Sequence, residues 1–238
     1  VRVEGPLIAP IHASTHQLWK LVAWANFRRR LRALPHAPVV AEPCGSVRAA
    51  FLVRDNLRHR RDIEEAYLDA IDGAKEEIFL ANAYFLPGIR FRHALMNAAQ
   101  RGVRVTILLQ GRVEYLLLHY ASQALYDALL GAGVHIFEYH LSFLHAKVAV
   151  IDGKWATVGS SNIDPFSLLL AREANVVVRD IGFAAGLRAS LETAIGAGAR
   201  ELKRDDWRHK PWLHRLASWM AYGLVRLMIG IAGYGGKH

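Results

Sequence analysis

Cysteine is almost absent from this chain of 238 residues, in which Cys44 is the single example. An internal disulfide framework and a multi-cysteine zinc site are therefore excluded. The start, Val1-Arg2-Val3-Glu4, has no initiator methionine, no basic n-region and no apolar h-region. We therefore expect the sequence to begin partway through a longer protein.

Low-complexity tracts and short-period repeats are also missing, and charged residues make up 21% of the chain against 53% hydrophobic ones. A chain this apolar buries enough surface to fold, so disorder is excluded, and the length allows one large domain or two small ones. The 30 basic and 21 acidic residues leave a net charge of +9. That excess favours a polyanionic partner, either nucleic acid or an anionic lipid surface, or serves solubility alone.

Apolar periodicity divides the chain into three parts. Residues 7–34 are predicted to form a helix with a basic end at residues 28–32, followed by a linker and a boundary near residue 45. The middle part alternates short apolar runs with helical patterns, which predicts an α/β domain. Strands are expected at residues 49–53, 78–85, 103–109, 134–138, 144–151, 155–158 and 174–178, and helices at 62–75, 91–101, 121–130 and 183–195.

The third part, residues 205–238, has no acidic residue after Asp206 and is rich in tryptophan. Arg215 and Arg226 interrupt its apolar run, and each would cost about 2.5–3.5 kcal/mol at the centre of a bilayer. The pattern therefore favours an amphipathic helix at a membrane interface over a membrane span. A terminal helix packed on the core is the alternative.

One segment carries most of the chemical information. His145 and Lys147 are two residues apart in a predicted strand and should share a face. The dipeptide Asp152-Gly153 predicts a tight hairpin, which would place Lys147 opposite Val158 and His145 opposite Ser160. Residues 159–162 would then return beside the His–Lys pair.

These side chains suit a phosphate. Lys147 would supply positive charge, and Ser160 and Asn162 would donate hydrogen bonds to the phosphate oxygens. His145 would act as nucleophile or proton shuttle, and Glu173 is a candidate to orient its ring. No acid shares that face, so no metal site and no cofactor is expected.

At this point the sequence resembles the phospholipase D superfamily. The resemblance is carried by the pattern His145-x-Lys147-x4-Asp152-x6-Gly159-Ser160-x-Asn162. Residues 82–88, 101–105, 155–165 and 173–176 are similar to bacterial cardiolipin synthases. The resemblance implies a mixed β-sheet flanked by helices over residues 46–204, with residues 1–45 trailing from an N-terminal half and residues 205–238 as an amphipathic tail at a membrane interface.

The resemblance also implies roles. His145, Lys147, Asp152 and Glu173 would be the catalytic group, with Asp152 more a positioner than a proton donor and Glu173 hydrogen-bonded to the histidine. His145, Lys147, Ser160 and Asn162 would bind the substrate phosphate. The implied reaction is phosphatidyl transfer between phospholipids through a phosphohistidine, without a metal.

Members of the superfamily use two such motifs, and this chain has one. A second catalytic half is therefore expected, either in the same full-length chain or in a homodimer. The implied substrates are phosphatidylglycerol-like lipids, and the implied location is the cytoplasmic face of a bacterial cell membrane, with peripheral attachment to its anionic surface. Nucleic acid is not the expected substrate, but a homodimeric phosphodiesterase or nuclease of the same superfamily remains the alternative.

Overall fold

The fold is built on one mixed β-sheet. The computed structural model describes residues 1–25, 42–55, 58–169 and 171–230, and within them eight strands follow the order β1-β7-β6-β5-β2-β3-β4-β8. Strands β2, β3 and β4 run parallel, and the remaining pairings are antiparallel. The strands are β1 (Arg48–Arg54), β2 (Glu77–Asn82), β3 (Arg104–Gln110), β4 (His135–Tyr139), β5 (Lys147–Ile151), β6 (Trp155–Gly159), β7 (Glu173–Arg179) and β8 (Ala199–Leu202).

Helices cover both faces of this sheet. Ile78 and Leu80 of β2 face the larger core with α2, α3, α4, α5, α8 and α9, whereas Phe79 and Ala81 face a smaller core against α7. This alternation is the two-residue period of a strand whose two faces are both buried. The helices are α1 (Ile8–Ala25), α2 (Asp62–Asp72), α3 (Ile89–Gln100), α4 (Leu116–Gln123), α5 (Tyr126–Gly131), α6 (Pro165–Leu169), α7 (Ile181–Gly198), α8 (Arg204–Arg208) and α9 (Trp212–Ile229).

The α/β architecture predicted from periodicity is confirmed, with local differences. The helix predicted at residues 121–130 is two helices, α4 and α5, and β8 was not predicted. The helix predicted at residues 7–34 is observed as α1, and its basic end at residues 28–32 lies outside the described residues.

The C-terminal part does not stand apart from the domain. Trp207 of α8 and Val225 and Ile229 of α9 are buried in the larger core. The predicted tail boundary therefore falls inside a packed unit, because one face of α9 is a core face. No described helix is both long and apolar enough to cross a membrane.

The β5–β6 hairpin has a different register from the predicted one. Ile151 pairs with Trp155 and Val148 with Val158, so the loop holds three residues rather than two. Asp152 and Gly153 both have positive φ, 50° and 60°. The Asp152 carboxylate accepts hydrogen bonds from the backbone amides of residues 75–77, at 2.9–3.2 Å. The turn is thus fixed by a distant segment.

Replacing Asp152 with alanine should destabilise the fold by about 2–3 kcal/mol, since three backbone amides lose their acceptor and alanine disfavours positive φ. Asp152→Asn, which keeps one acceptor oxygen and tolerates positive φ, should lose less. Urea unfolding at pH 7 measures both. Equal midpoints for wild type and Asp152→Ala would contradict this assignment.

The same carboxylate predicts a pH dependence. Burial alone would raise the pKa of Asp152, but the amides of residues 75–77 and the charge of Lys154 outweigh it and hold the pKa below its usual value. The folded state therefore binds fewer protons than the unfolded state around pH 4, and the stabilisation is lost as pH falls through the folded-state pKa. The difference between wild type and Asp152→Ala should shrink accordingly in acid.

Candidate active site

The centre of the candidate site lies where β5 begins. Lys147, the first residue of β5, pairs with Asn82 of β2 and is only 7% exposed. Its Nζ donates a hydrogen bond to the carbonyl oxygen of His145 at 3.3 Å. His145 itself precedes the strand and is exposed. A buried ammonium group thus lies against the backbone of an exposed histidine.

Two residues of β3 and its following loop hold the segment that leads into His145. The Gln110 side-chain oxygen accepts from the amide of Leu144 at 2.8 Å. Arg112 donates to the carbonyl oxygens of His140 and Leu141 at 2.9 and 2.8 Å. Sequence reasoning did not identify either residue. The sequence does place both residues at the end of a buried strand, at the sheet edge where β2 also ends. That position is the signal that could have identified them.

Glycine is required at position 159 by space rather than by dihedral angles. A Cβ at Gly159 would lie 2.1 Å from Oδ1 of Asn175 and 2.5 Å from the carbonyl oxygen of Ala174. The close approach of β6 to β7 lets the Asn175 side chain accept from the amide of Ser161 at 3.4 Å. The glycine therefore sets the path of residues 160–162.

The Glu173 carboxylate has a different partner from the one expected. It accepts the hydrogen bond of the Ser160 hydroxyl, and that hydroxyl also accepts from the amide of Ala174 at 3.1 Å. Within the described residues the ring of His145 forms no hydrogen bond. Among the described residues no hydrogen bond joins Glu173 to His145, and the Glu173 carboxylate is engaged by Ser160 instead.

Two buried carboxamides have unsatisfied atoms. Asn82 is fully buried and its Oδ1 accepts from the amide of Ile163 at 3.2 Å, but its Nδ2 has no partner in the described part of the chain. Oδ1 of Asn162 is likewise buried without one. A buried polar atom without a partner costs about 1–3 kcal/mol unless water or another group satisfies it.

Carboxyl groups surround the ammonium group of Lys147. Burial lowers the pKa of Lys147, and the negative charges of Glu173, Asp164 and Glu114 oppose that shift. Burial raises the pKa of Asp164, although its carboxylate caps α6 by accepting from the amides of residues 166 and 167. The hydroxyl of Tyr84 donates to Glu114. An anionic substrate therefore needs more positive charge than Lys147 alone provides.

Asp152 lies away from this centre. It follows the far end of β5, five residues beyond Lys147, which corresponds to about 17 Å along a strand. The contacts of Asp152 are those of a positioning residue, and its part in catalysis stays a prediction. No group of three or more histidine, cysteine or acidic side chains suited to a metal occurs among the described residues.

The comparisons with known proteins agree with this geometry. A family model described as "Cardiolipin synthase, PLD-like domain" matches residues 67–195, more than half of the chain. The chain belongs to this family. The match contains the His145–Asn162 pattern, so the PLD-like fold expected from the sequence is confirmed.

Relatives place the chain more closely. It is 38% identical over 234 residues to cardiolipin synthase B of Escherichia coli K12, covering 98% of this chain and 56% of that protein. The chain thus spans about half the length of the curated relatives it matches. Among solved structures, the phospholipase D family member Nuc of Salmonella typhimurium has a TM-score of 0.56 at 20% identity, over 66% of this chain and 99% of Nuc.

A third similarity is to the phosphatidylserine synthase of Haemophilus influenzae, with a TM-score of 0.60 at 10% identity. It covers 79% of this chain and 47% of that one. At these identities the two structures support the fold alone.

Proposed function

We propose that this chain supplies one catalytic half of a phosphatidyltransferase that works like a cardiolipin synthase. In the first step His145 attacks the phosphorus of a phosphatidylglycerol-like donor, so that an N–P bond forms and the P–O bond to glycerol breaks. In the second step the hydroxyl of an acceptor lipid attacks the phosphorus and gives its proton to an imidazole of the second half, so that an O–P bond forms and the N–P bond to His145 breaks. The observation that carries the proposal is the exposed His145 next to the buried Lys147, whose ammonium group donates to the carbonyl oxygen of His145.

The phosphate would occupy the space between Lys147 and Asn162. Lys147 would neutralise charge on the phosphate oxygens, and the side-chain NH2 group of Asn162 would donate a hydrogen bond to them. Ser160, whose hydroxyl is engaged by Glu173, would act through that pair rather than as a free donor.

A second half is part of the proposal for two reasons. The glycerol oxygen that leaves in the first step needs a proton, and no described group beside His145 is placed to donate it. The three carboxyl groups near Lys147 also disfavour an added anion. A second imidazole and ammonium, from the same full-length protein or from another copy, would supply both.

The proposed setting is the cytoplasmic face of the cell membrane, where anionic phospholipids are donor and acceptor. The net charge of +9 favours such a surface. The protein would be attached peripherally.

The function is tested by joining this chain to the part of E. coli cardiolipin synthase B that lies outside the matched region. Given phosphatidylglycerol vesicles, the fusion should form diphosphatidylglycerol. His145→Ala should lower the rate by at least about 10³-fold, because the nucleophile is lost. His135→Ala is the matched control, since the ring of this exposed histidine bonds Glu201 in another part of the sheet.

Normal product yield from His145→Ala would refute the assignment. The alternative function makes the opposite prediction for the unfused chain. If that chain dimerises and cleaves DNA without added metal, with activity that falls as salt rises, the homodimeric phosphodiesterase replaces the transferase.

A further inference from the structure

Helix α9 is fixed on the domain by one face only. Ser218, Val225 and Ile229 are buried, and the ring of His214 lies 5.3 Å from that of Tyr120 in α4. These residues recur every three or four positions and form the inner face of α9. The orientation of the opposite face is thereby determined.

That opposite face is apolar throughout. At 100° per residue, eight positions fill an arc of about 140° that points away from the domain, and none of them is polar. We call this arc the outer face of α9. It consists of Trp212, Leu213, Leu216, Trp219, Met220, Gly223, Leu224 and Leu227.

The exposure of this outer face is unusual for a folded domain. Its seven residues other than Gly223 are 48–70% exposed, although an apolar stripe of this width normally faces a core. Contiguous exposed apolar surface of this kind marks an interaction site. A partner is therefore required to cover it.

The positive charges at the edge of the outer face indicate the chemical nature of the partner. Arg215 and Arg226 lie on the edge beside Trp212 and Trp219, and no acidic residue occurs after Asp206. Tryptophan next to arginine is typical of helices at the lipid headgroup level. A second copy of α9 facing this one would bring two pairs of arginines together, and their charges would repel. An anionic lipid surface would neutralise the same charges.

We propose that the outer face of α9 docks in the plane of an anionic phospholipid leaflet. The proposal deepens the function proposed above and rests on it only for the nature of the substrate. α9 packs on α4, which begins directly after Tyr115, and Tyr115 contacts Tyr84 at the site. Since α4 is roughly 12 Å long, docking would hold the active site within reach of lipid headgroups.

Vesicle flotation of the 238-residue chain tests the proposal. The chain should bind vesicles of phosphatidylcholine with phosphatidylglycerol and bind phosphatidylcholine alone much more weakly. Leu216→Glu with Leu227→Glu should reduce binding by at least about tenfold. The matched control is Ile181→Glu, an equally exposed apolar residue at the start of α7, which should bind as wild type does.

Further variants separate the contribution of the arginine charges from that of the inserted apolar side chains. Arg215→Gln and Arg226→Gln should each weaken binding to the anionic vesicles about fivefold and leave binding to phosphatidylcholine unchanged. Brominated lipid should quench the fluorescence of the wild-type chain, and Trp219→Phe should remove part of that quenching, whereas Trp155→Phe, at a buried position, should not.

Unchanged vesicle binding by the folded Leu216→Glu, Leu227→Glu variant would overturn the proposal. So would a dimer in solution that this variant dissociates, because the face would then be a protein interface. Binding is scored without turnover, and His145→Ala should float as wild type does. Failure of docking is thus distinguishable from failure of the proposed reaction.

Discussion

Replacing Lys147 with methionine is expected to lower phosphatidyl transfer by about 10²–10³-fold, the usual cost of removing one charged or hydrogen-bonding group that stabilises a transition state. Methionine has a similar length and no charge, so the change isolates the ammonium group. Lys147 is 7% exposed beside the carbonyl of His145, and solvent cannot replace its charge at the phosphate.

The free energy of unfolding of Lys147→Met, unlike its activity, should not fall. Burial lowers the pKa of Lys147, and the opposing charges of Glu173, Asp164 and Glu114 do not cancel this effect. At pH 7 the unfolded lysine is fully charged, so holding the charge in the folded state reduces the free energy of unfolding. Lys147→Met should therefore be as stable as wild type or more stable.

The transfer rate is measured with the fusion described above, and the free energy of unfolding is measured by urea unfolding of the 238-residue chain. Lys154→Met is the control, because this lysine lies in the same hairpin with its side chain 68% exposed. It should leave the transfer rate unchanged and lower stability by less than about 1 kcal/mol, through loss of its surface ion pair with Asp152. If Lys147→Met lost stability together with activity, Lys147 would be a structural residue, and its proposed role at the phosphate would fail.

The sequence was sufficient to place the reactive groups but not their hydrogen-bond partners. The spacing of His145 and Lys147 identified an imidazole and an ammonium group at one strand end. That spacing carries no information on Ser160 and Glu173, whose hydrogen bond depends on how β6 pairs with β7. A local pattern predicts which residues are available, whereas sheet register decides which of them meet.

The hairpin turn shows the same limit. Asp152-Gly153 correctly predicted a turn, but its loop is one residue longer than a two-residue turn. The Asp152 carboxylate in this loop binds amides about 75 positions away, at residues 75–77, and no local pattern predicts that contact. Similarly, α9 was predicted either as a core helix or as an interfacial one. One face of α9 is buried in the core and the other is exposed and apolar, and composition alone could not separate the two.

Replacing Gly159 with alanine is expected to destabilise the domain by about 3 kcal/mol, at the upper end for overpacking a rigid site. The added Cβ would lie 2.1 and 2.3 Å from two atoms of the Asn175 side chain and 2.5 Å from the carbonyl oxygen of Ala174. Asn175 is 1% exposed and the carbonyl belongs to a paired strand, so neither can move aside cheaply. Gly186→Ala in α7 is the matched control.

At Gly186 nothing lies within 4 Å of the added Cβ, and alanine at a helical position should stabilise the chain by about 0.5–1 kcal/mol. Urea unfolding should therefore give midpoints that shift in opposite directions for the two alanine variants. Adding Asn175→Ala to Gly159→Ala removes two of the three close contacts but leaves the carbonyl of Ala174 in place. Recovery should be partial, and full recovery would mean that Asn175 alone, rather than the approach of the two strands, requires glycine at position 159.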